Sequence, residues 1–239
     1  MILTVTSWKG GTGKTTLAVL AAIILAARGK RSLIVDLDSN CAISQVFGQV
    51  LKDFTSMEFL SGNGENFKGV YSARQNIDII PGSLNNMLLN NIMDRQLKIN
   101  LKRAGYTEAY DYIIIDPPGY WGAHTRNAVF SADTIVIPGA CSRIDYEATR
   151  LYFRTLRECY IEANTLVCVN AFNAESNLPG IHDEYKSEFG EFLLAEPVPY
   201  IKSLKKLTSD PDYTLQAGIR KRLERTVDAI TGTKGGENA

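Results

Sequence analysis

Lys9-Gly10-Gly11-Thr12-Gly13-Lys14-Thr15-Thr16 is the stretch that decides the fold, and it lies between an apolar run and a helical pattern. Glycines in such a place let the backbone turn so that successive N–H groups point at one anion. The N-terminus of the following helix adds a partial positive charge. Strand, glycine-rich loop and helix in this order predict a phosphate-binding loop. We expect Lys14 to neutralise the β- and γ-phosphates of a nucleotide and the Thr15 hydroxyl to bind Mg²⁺.

Short apolar runs alternate with helical patterns along the rest of the chain. The predicted strands cover residues 2–6, 32–36, 77–80, 112–115, 134–137, 166–169 and 192–198. The predicted helices cover residues 14–28, 84–104, 125–131, 145–162 and 214–230. This alternation predicts the α/β class, with a doubly wound, mostly parallel sheet and helices on both faces, as in P-loop NTPases. We expect one P-loop domain over residues 1–230 and a disordered tail over residues 231–239.

The composition excludes several classes of protein. The chain has 239 residues, 45% of them hydrophobic, with 26 Lys and Arg against 26 Asp and Glu. It is therefore neither an intrinsically disordered chain nor a globally basic nucleic-acid packaging protein. Its 4 cysteines are widely spaced, which disfavours a zinc site or a disulfide framework. No stretch resembles a secretion signal or a membrane span, so we expect a cytoplasmic protein.

Acidic residues follow two of the predicted strands. Asp36 and Asp38 stand at alternate positions at the end of the strand over residues 32–36, so both side chains point to one face. Asp116 follows the strand over residues 112–115, and Pro117-Pro118-Gly119 comes after it. An acid at this place of a P-loop fold anchors the hydration shell of Mg²⁺. An acid at a strand end also serves as a helix cap, and that alternative stays open for Asp36.

The loop, in the compact form K-G-G-x-G-K-T, together with these acids resembles the deviant Walker A box and D-x-D motif of the ParA/MinD family of ATPases. The resemblance covers nearly the whole chain. It implies that Lys9 contacts the nucleotide of a partner subunit, that Asp38 positions the attacking water, and that Asp36 helps to hold the metal's water shell. The family usually continues with Pro-Gln after D-x-D, whereas this chain has Ser39-Asn40.

The same resemblance implies three further nucleotide contacts. Asn170, after the strand over residues 166–169, would read the edge of adenine, although an asparagine there is equally a common turn former. The backbone around Pro199, in Glu196-Pro197-Val198-Pro199-Tyr200, would lie along the base. Glu147 would contact the ribose of the partner's nucleotide.

Cations are concentrated between residues 200 and 225. The basic members are Lys202, Lys205, Lys206, Arg220, Lys221, Arg222 and Arg225, against Asp210, Asp212 and Glu224. Such a surface binds phosphate backbones without reading bases, although a solvated helix face has a similar composition. The helical pattern over residues 214–230 contains no Phe or Trp, so we do not expect a membrane anchor.

Function follows from the resemblance. It implies an enzyme that hydrolyses ATP to ADP and phosphate with Mg²⁺, forms a homodimer on ATP binding, and is stimulated by a partner protein. We expect non-specific DNA binding on the nucleoid and partition of plasmid or chromosome DNA. The alternative is the positioning of carboxysomes or another cargo, which uses the same chemistry. Wide cysteine spacing disfavours a metal-cluster ATPase, Lys9 disfavours a ligase of the dethiobiotin synthetase type, and Asp38 with Asp116 disfavours a module without catalysis.

Overall fold

We describe the protein from a computed structural model. The structure describes residues 1–62, 69–89, 91–159, 161–171, 173, 179–208 and 215–232, without the side chains of Lys205 and Thr208.

A seven-stranded sheet forms the centre of the described part of the chain. Its strands are β1 (Ile2–Val5), β2 (Ser32–Asp36), β3 (Tyr71–Arg74), β4 (Ile77–Ile80), β5 (Tyr112–Asp116), β6 (Thr134–Gly139) and β7 (Asn164–Val169). Their order across the sheet is β3-β4-β2-β5-β1-β6-β7. Every pairing is parallel except that of β3 with β4, which is antiparallel. This confirms the predicted doubly wound α/β fold.

Helices cover the sheet. The α-helices are α1 (Lys14–Ala27), α2 (Ala42–Val46), α3 (Ser56–Ser61), α4 (Gln96–Arg103), α5 (Tyr106–Ala109), α6 (Ala123–Ser131), α7 (Arg143–Glu158), α8 (Ile181–Phe189) and α9 (Ala217–Thr231). Short 3₁₀ helices span Leu84–Leu88, Gly190–Phe192 and Lys202–Thr208.

The alternation of side chains along β2 shows how both faces of the sheet are buried. Ile34 packs in the core cluster that contains Leu20 of α1 and Val227 of α9. Leu33 and Val35 point the other way, into the cluster that includes Leu97 of α4 and Ala128 of α6. Because both faces of β2 are covered, the strand is apolar at nearly every position, as its sequence predicted.

Two predicted elements are wrong. The helix expected over residues 84–104 is a 3₁₀ turn followed, after a break, by α4. Asn86 explains the break, because its buried amide donates to the carbonyl of Leu37 at 3.1 Å and to the Ser56 hydroxyl at 2.9 Å. The strand expected over residues 192–198 makes a single bridge, between Val167 and Leu193. After it, the N–H of Val198 rather than that of Glu196 donates to the carbonyl of Val169, so the even spacing of a parallel ladder is lost.

The predicted tail begins too early. Thr231 lies inside α9 and is buried, and Gly232 ends the helix in the left-handed conformation at φ 65°. The remaining residues of that tail, 233–239, lie outside the described part of the chain, as do Asp210 and Asp212.

Candidate nucleotide-binding site

The candidate site lies where β1, β2 and β5 end, at the carboxyl edge of the sheet. β1 leads into the glycine-rich loop, and Asp36 of β2 is paired in register with Asp116 of β5. β5 lies between β1 and β2, so the loop and both acids come from neighbouring strands. Ligands of open α/β sheets bind at this edge.

Two glycines and an asparagine set the path of the loop. Gly11 and Gly13 adopt φ of 78° and 93°, in the left-handed region that favours glycine. Asn170, which follows β7, donates from Nδ2 to the carbonyl of Thr12 at 2.7 Å. A Cβ atom on Gly13 would lie 2.1 Å from that nitrogen. The structure therefore places Asn170 against the phosphate-binding loop, and Gly13 is required for the close approach.

Lys14 begins α1 and lies almost completely inside the protein. Its side chain reaches back along the loop, with Nζ 3.4 Å from the carbonyl of Lys9. A Cβ atom on Gly119 would come within 3.2 Å of the same Nζ, so the turn after β5 closes over the lysine. Next to it is a cavity of about 360 Å³, and its lining includes Gly11, Thr15 and Thr16. A buried cation beside an open cavity suits a phosphate group.

Asp116 lies beside Thr15 and keeps one oxygen free. Thr15 Oγ1 donates to Asp116 Oδ2 at 2.8 Å, whereas Oδ1 is buried and finds no partner among the described residues. Burial, together with the nearby Asp36, raises the pKa of Asp116 to about 8. A hydroxyl and a carboxylate with an unused oxygen fit Mg²⁺, which takes one or two protein ligands and completes its shell with water and phosphate. Among the described residues, no group of three or more His, Cys, Asp or Glu could hold a metal.

Asp36 is completely buried, and its hydrogen bonds go to the turn that follows β2 and to α2. Oδ2 accepts from the N–H and the hydroxyl of Ser44 in α2, at 3.0 and 2.5 Å. Oδ1 accepts from the N–H of Asp38 at 3.1 Å. Burial raises the pKa of Asp36 to about 7. These contacts favour the helix-capping alternative, in which Asp36 fixes the segment that carries Asp38.

Asp38 lies on a tight turn and is half-buried. Its Oδ1 accepts from the N–H of Asn40 at 2.9 Å, and its carbonyl accepts from the N–H of Cys41 at 3.0 Å. Cys41 adopts a φ of 51°, which is strained for a residue with a side chain. The departure from Pro-Gln at Ser39-Asn40 therefore coincides with a strained turn.

Lys9 is held within its own subunit. Its Nζ lies 2.6 Å from Oδ1 of Asp145 on α7, and its side chain stays 39% exposed. Asp145 is buried and also accepts from the Ser142 hydroxyl at the start of α7. Lys9 therefore lies at the protein surface beside the loop, paired with an acid that a competing anion could displace.

Two tryptophan side chains pack against the ring of Tyr152, and one of them, Trp8, precedes Lys9 in the chain. Trp8 packs against Tyr152 of α7 at 5.4 Å between ring centroids, and Trp121 meets the same ring edge-on at 6.0 Å. These two are the only tryptophans of the sequence. Tryptophan fluorescence therefore reports on this site alone.

The other residues that the sequence predicted to contact nucleotide or DNA lie at or near the protein surface. Glu147 lies on α7 and pairs with Arg150 at 2.8 Å, and Pro199 is half-buried after β7. Among the predicted DNA-binding residues, Arg220 lies 3.5 Å from Glu224 and Arg225 lies 3.3 Å from Glu196. Exposed side chains are found at Lys202, Lys206, Lys221 and Arg222, whereas the side chain of Lys205 lies outside the described part.

Sequence reasoning missed two residues of the site. Asp145 had a signal, because Ser142 precedes it by three residues in the pattern of a helix start. No sequence pattern pointed to Ser44, since its partner Asp36 lies eight residues away and belongs to another element.

Comparisons with known proteins agree with this fold. Residues 1–168 match a family model described as an AAA domain. The cell division protein PomZ of Myxococcus xanthus is 26% identical over 98% of this chain and 82% of its own. The chromosome-partitioning ATPase Soj of Treponema pallidum is 30% identical over 67% of this chain and 65% of its own. McdA from Cyanothece in complex with ATP has a TM-score of 0.81 at 20% identity, covering 99% of this chain and 98% of its own. No described helix is long and apolar enough to cross a membrane.

Proposed function

Because the chain belongs to the ParA/MinD family of P-loop ATPases, we propose that it hydrolyses ATP with Mg²⁺ at the edge formed by β1, β2 and β5. The observation that carries the proposal is the contact of Thr15 with Asp116, beside the buried Lys14 and the cavity of the loop. The parts that hold a phosphate and those that hold a metal thus meet at one place. A glycine-rich turn without catalysis has no need of a buried carboxylate with one oxygen that lacks a hydrogen-bond partner among the described residues.

Each residue has a defined task in this proposal. Lys14 and the N–H groups of the loop bind the phosphates, and Thr15 with Asp116 holds Mg²⁺, which when bound offsets the charge that develops on the transferred group. Asp38 orients the attacking water. Asp36 keeps Asp38 in place through its hydrogen bonds to the turn.

We propose further that ATP binding makes a homodimer in which Lys9 crosses to the partner's nucleotide. In the free protein Lys9 is paired with Asp145, so the γ-phosphate competes with this carboxylate for the same cation. ADP has no γ-phosphate and competes less well. Glu147 and Asn170 would contribute to the contacts with the ribose and the base.

The dimer would bind DNA through phosphate contacts on the surface of the Lys202–Thr208 turn and α9. Exposed Lys202, Lys221 and Arg222 support this surface, because the structure shows no acid paired with them among its described residues. Two copies on one dimer raise the avidity, which makes DNA binding depend on ATP. We infer a cytoplasmic, nucleoid-associated ATPase that partitions DNA and is stimulated by a partner protein.

Positioning of another cargo on the nucleoid is the second candidate. This candidate is supported by the similarity of nearly the whole chain to PomZ, a cell division protein. The chemistry at the strand edge is the same in both cases.

The direct test is ATP binding and hydrolysis by Lys14→Ala, with Lys98→Ala as its control. Both changes remove a lysine, but Lys98 is exposed on α4, which packs against the opposite face of the sheet from α1. We expect Lys14→Ala to abolish ATP binding in calorimetry and phosphate release in a coupled assay, and Lys98→Ala to match the parent. Parental ATP affinity in Lys14→Ala would contradict the P-loop assignment.

A further inference from the structure

His124 is a buried histidine with an unused hydrogen-bonding atom. It is the second residue of α6 and is 2% exposed. Its Nε2 is enclosed and finds no hydrogen-bond partner among the described residues. An unpaired polar atom in the interior is unfavourable and rare, and its presence indicates a partner that binds in another state of the protein.

The backbone brings His124 to the side of the sheet edge where Asp38 emerges. Pairing between β2 and β5 continues past their last residues, because the N–H of Leu37 donates to the carbonyl of Asp116 at 3.0 Å. Thr125 Oγ1 donates to the carbonyls of Pro118, at 3.2 Å, and of Tyr120, at 2.6 Å. The first turn of α6 is therefore folded back onto the loop that follows β5, and β5 is the neighbour of β2 in the sheet.

The charge of Asp38 acts on His124. Burial lowers the pKa of His124, so the ring is neutral at pH 7 and one of its nitrogens carries a proton. The charge of Asp38 acts on this pKa in the opposite direction. Asp38 also adds to the raised pKa of Tyr120, four residues earlier. The charge of Asp38 thus lies within electrostatic range of the segment that carries both rings.

Asp38 in turn has room for another donor. The one hydrogen bond that its carboxylate accepts among the described residues is from the N–H of Asn40 to Oδ1. The turn that carries it includes the strained Cys41, and a strained turn is readily shifted by a ligand.

We propose that His124 is a positioning residue for Asp38. When the turn over residues 38–41 closes on bound nucleotide, the Nε2–H of the neutral ring donates to the Asp38 carboxylate. This bond fixes the direction in which the carboxylate faces the attacking water. His124 touches neither the nucleotide nor the water. The inference rests on the proposed function, in which Asp38 orients that water.

Three substitutions separate positioning from packing. His124→Gln keeps a donor at about the place of Nε2, His124→Asn places its donor near Nδ1, and His124→Leu keeps the volume without any donor. We expect the kcat of ATP hydrolysis to fall about tenfold in the Leu and Asn variants and to stay within about twofold in the Gln variant. The affinity for ATP and the ATP-dependent dimer should be unchanged in all three.

Thermal stability distinguishes a positioning role from a packing role, because loss of a packing residue would lower the Tm as well as the kcat. His124→Leu removes an unpaired polar atom from the interior, so its Tm should equal or exceed that of the parent while its kcat falls. Equal kcat in the parent and in a stably folded His124→Leu overturns the inference. So does a kcat of the Gln variant as low as that of the Leu variant.

A double-mutant cycle with Asp38→Ala completes the test. If His124 acts through Asp38, His124→Leu has no further effect on the residual rate of Asp38→Ala. A tenfold loss in both backgrounds contradicts the positioning role. Parental hydrolysis by Asp38→Ala contradicts the proposed function itself, whereas an inactive Asp38→Ala beside a fully active His124→Leu contradicts the further inference alone.

Discussion

The strand edge and the basic surface of α9 use charge in opposite ways. At the edge, Lys14, Asp36 and Asp116 are buried, and the side chains of both acids hydrogen-bond to residues of other elements. On the basic surface the cations lie exposed, and two of them, Arg220 and Arg225, are within 3.5 Å of glutamates. Removing one partner of a buried charge leaves that charge uncompensated and is strongly destabilising. Exposed charges each contribute a little to the attraction of an anion, and salt screens that attraction. We therefore expect single substitutions to disable the edge and only combined ones to weaken the surface.

The largest effect should come from Gly13→Ala. The new Cβ would lie 2.1 Å from Asn170 Nδ2, at a φ of 93° that alanine adopts with strain. We expect loss of measurable ATP binding and a decrease of about 2 kcal/mol in the free energy of unfolding, measured by urea denaturation. Gly10→Ala is the control, because nothing lies within 4 Å of its added Cβ and its φ is not positive. Equal effects of the two substitutions would show that the contact with Asn170 does not shape the loop.

Lys9 provides the next test, since it belongs to the edge and yet is exposed. Lys9→Ala and Asp145→Asn both break the same ion pair, but only the first removes the cation. We expect Lys9→Ala to abolish the dimer that forms with a non-hydrolysable ATP analogue, and Asp145→Asn to retain it. Light scattering measures both. A dimer of Lys9→Ala as stable as that of the parent would exclude a role for this lysine across the interface.

A smaller effect is expected in the pH dependence of stability. The pKa of Asp116 rises from an ordinary value of 3.8 to about 8 on folding, chiefly because the group is buried. The folded state therefore holds this proton more tightly than the unfolded chain. The contribution of the group to stability is complete below the unfolded pKa, and it is lost as the pH rises through the folded pKa.

The ligand-free protein should consequently lose stability between about pH 4 and pH 8, and Asp116→Asn should reduce that loss. We expect its Tm to exceed that of the parent by about 5 °C at pH 8 and to match it near pH 4. Asp183→Asn is the control, because that carboxylate is 82% exposed. An equal gain at both pH values would mean that Asp116 is already ionised in the folded protein.

The difference between buried and exposed segments also explains which elements of the fold could be predicted from the sequence. The predicted bounds of β2 are those of the structure, because a strand covered on both faces is an uninterrupted apolar run with a charged end. β3 escaped prediction because it is a sheet-edge strand of the polar composition Tyr-Ser-Ala-Arg. The broken helix over residues 84–104 depended on Asn86, whose partners come from β2's end and from α3. Contacts of this kind are not visible in a local pattern.

The residues of the site also divide into those that a local pattern predicts and those that only tertiary contacts bring together. Lys14, Thr15 and Asp116 could be placed together from the sequence, since each follows or begins a strongly patterned element. The partners of Lys9 and Asp36 could not, because Asp145 and Ser44 reach them through the tertiary fold.

The most direct test of the whole account is the binding of duplex DNA in the presence of an ATP analogue or of ADP. Anisotropy of unrelated labelled duplexes, with Mg²⁺ and at two salt concentrations, would compare the parent with two triple variants. One neutralises Lys202, Lys221 and Arg222, and its control neutralises the equally exposed Lys98, Lys102 and Arg103 of α4.

We predict that the parent and the α4 variant bind all duplexes at least tenfold more tightly with the analogue than with ADP. The first variant should lose most of this affinity and show a shallower dependence on salt, since fewer phosphates are contacted. Equal affinity of the parent with ADP and with the analogue, or undiminished binding by the first variant, would contradict an ATP-dependent dimer that binds DNA through the surface of the Lys202–Thr208 turn and α9.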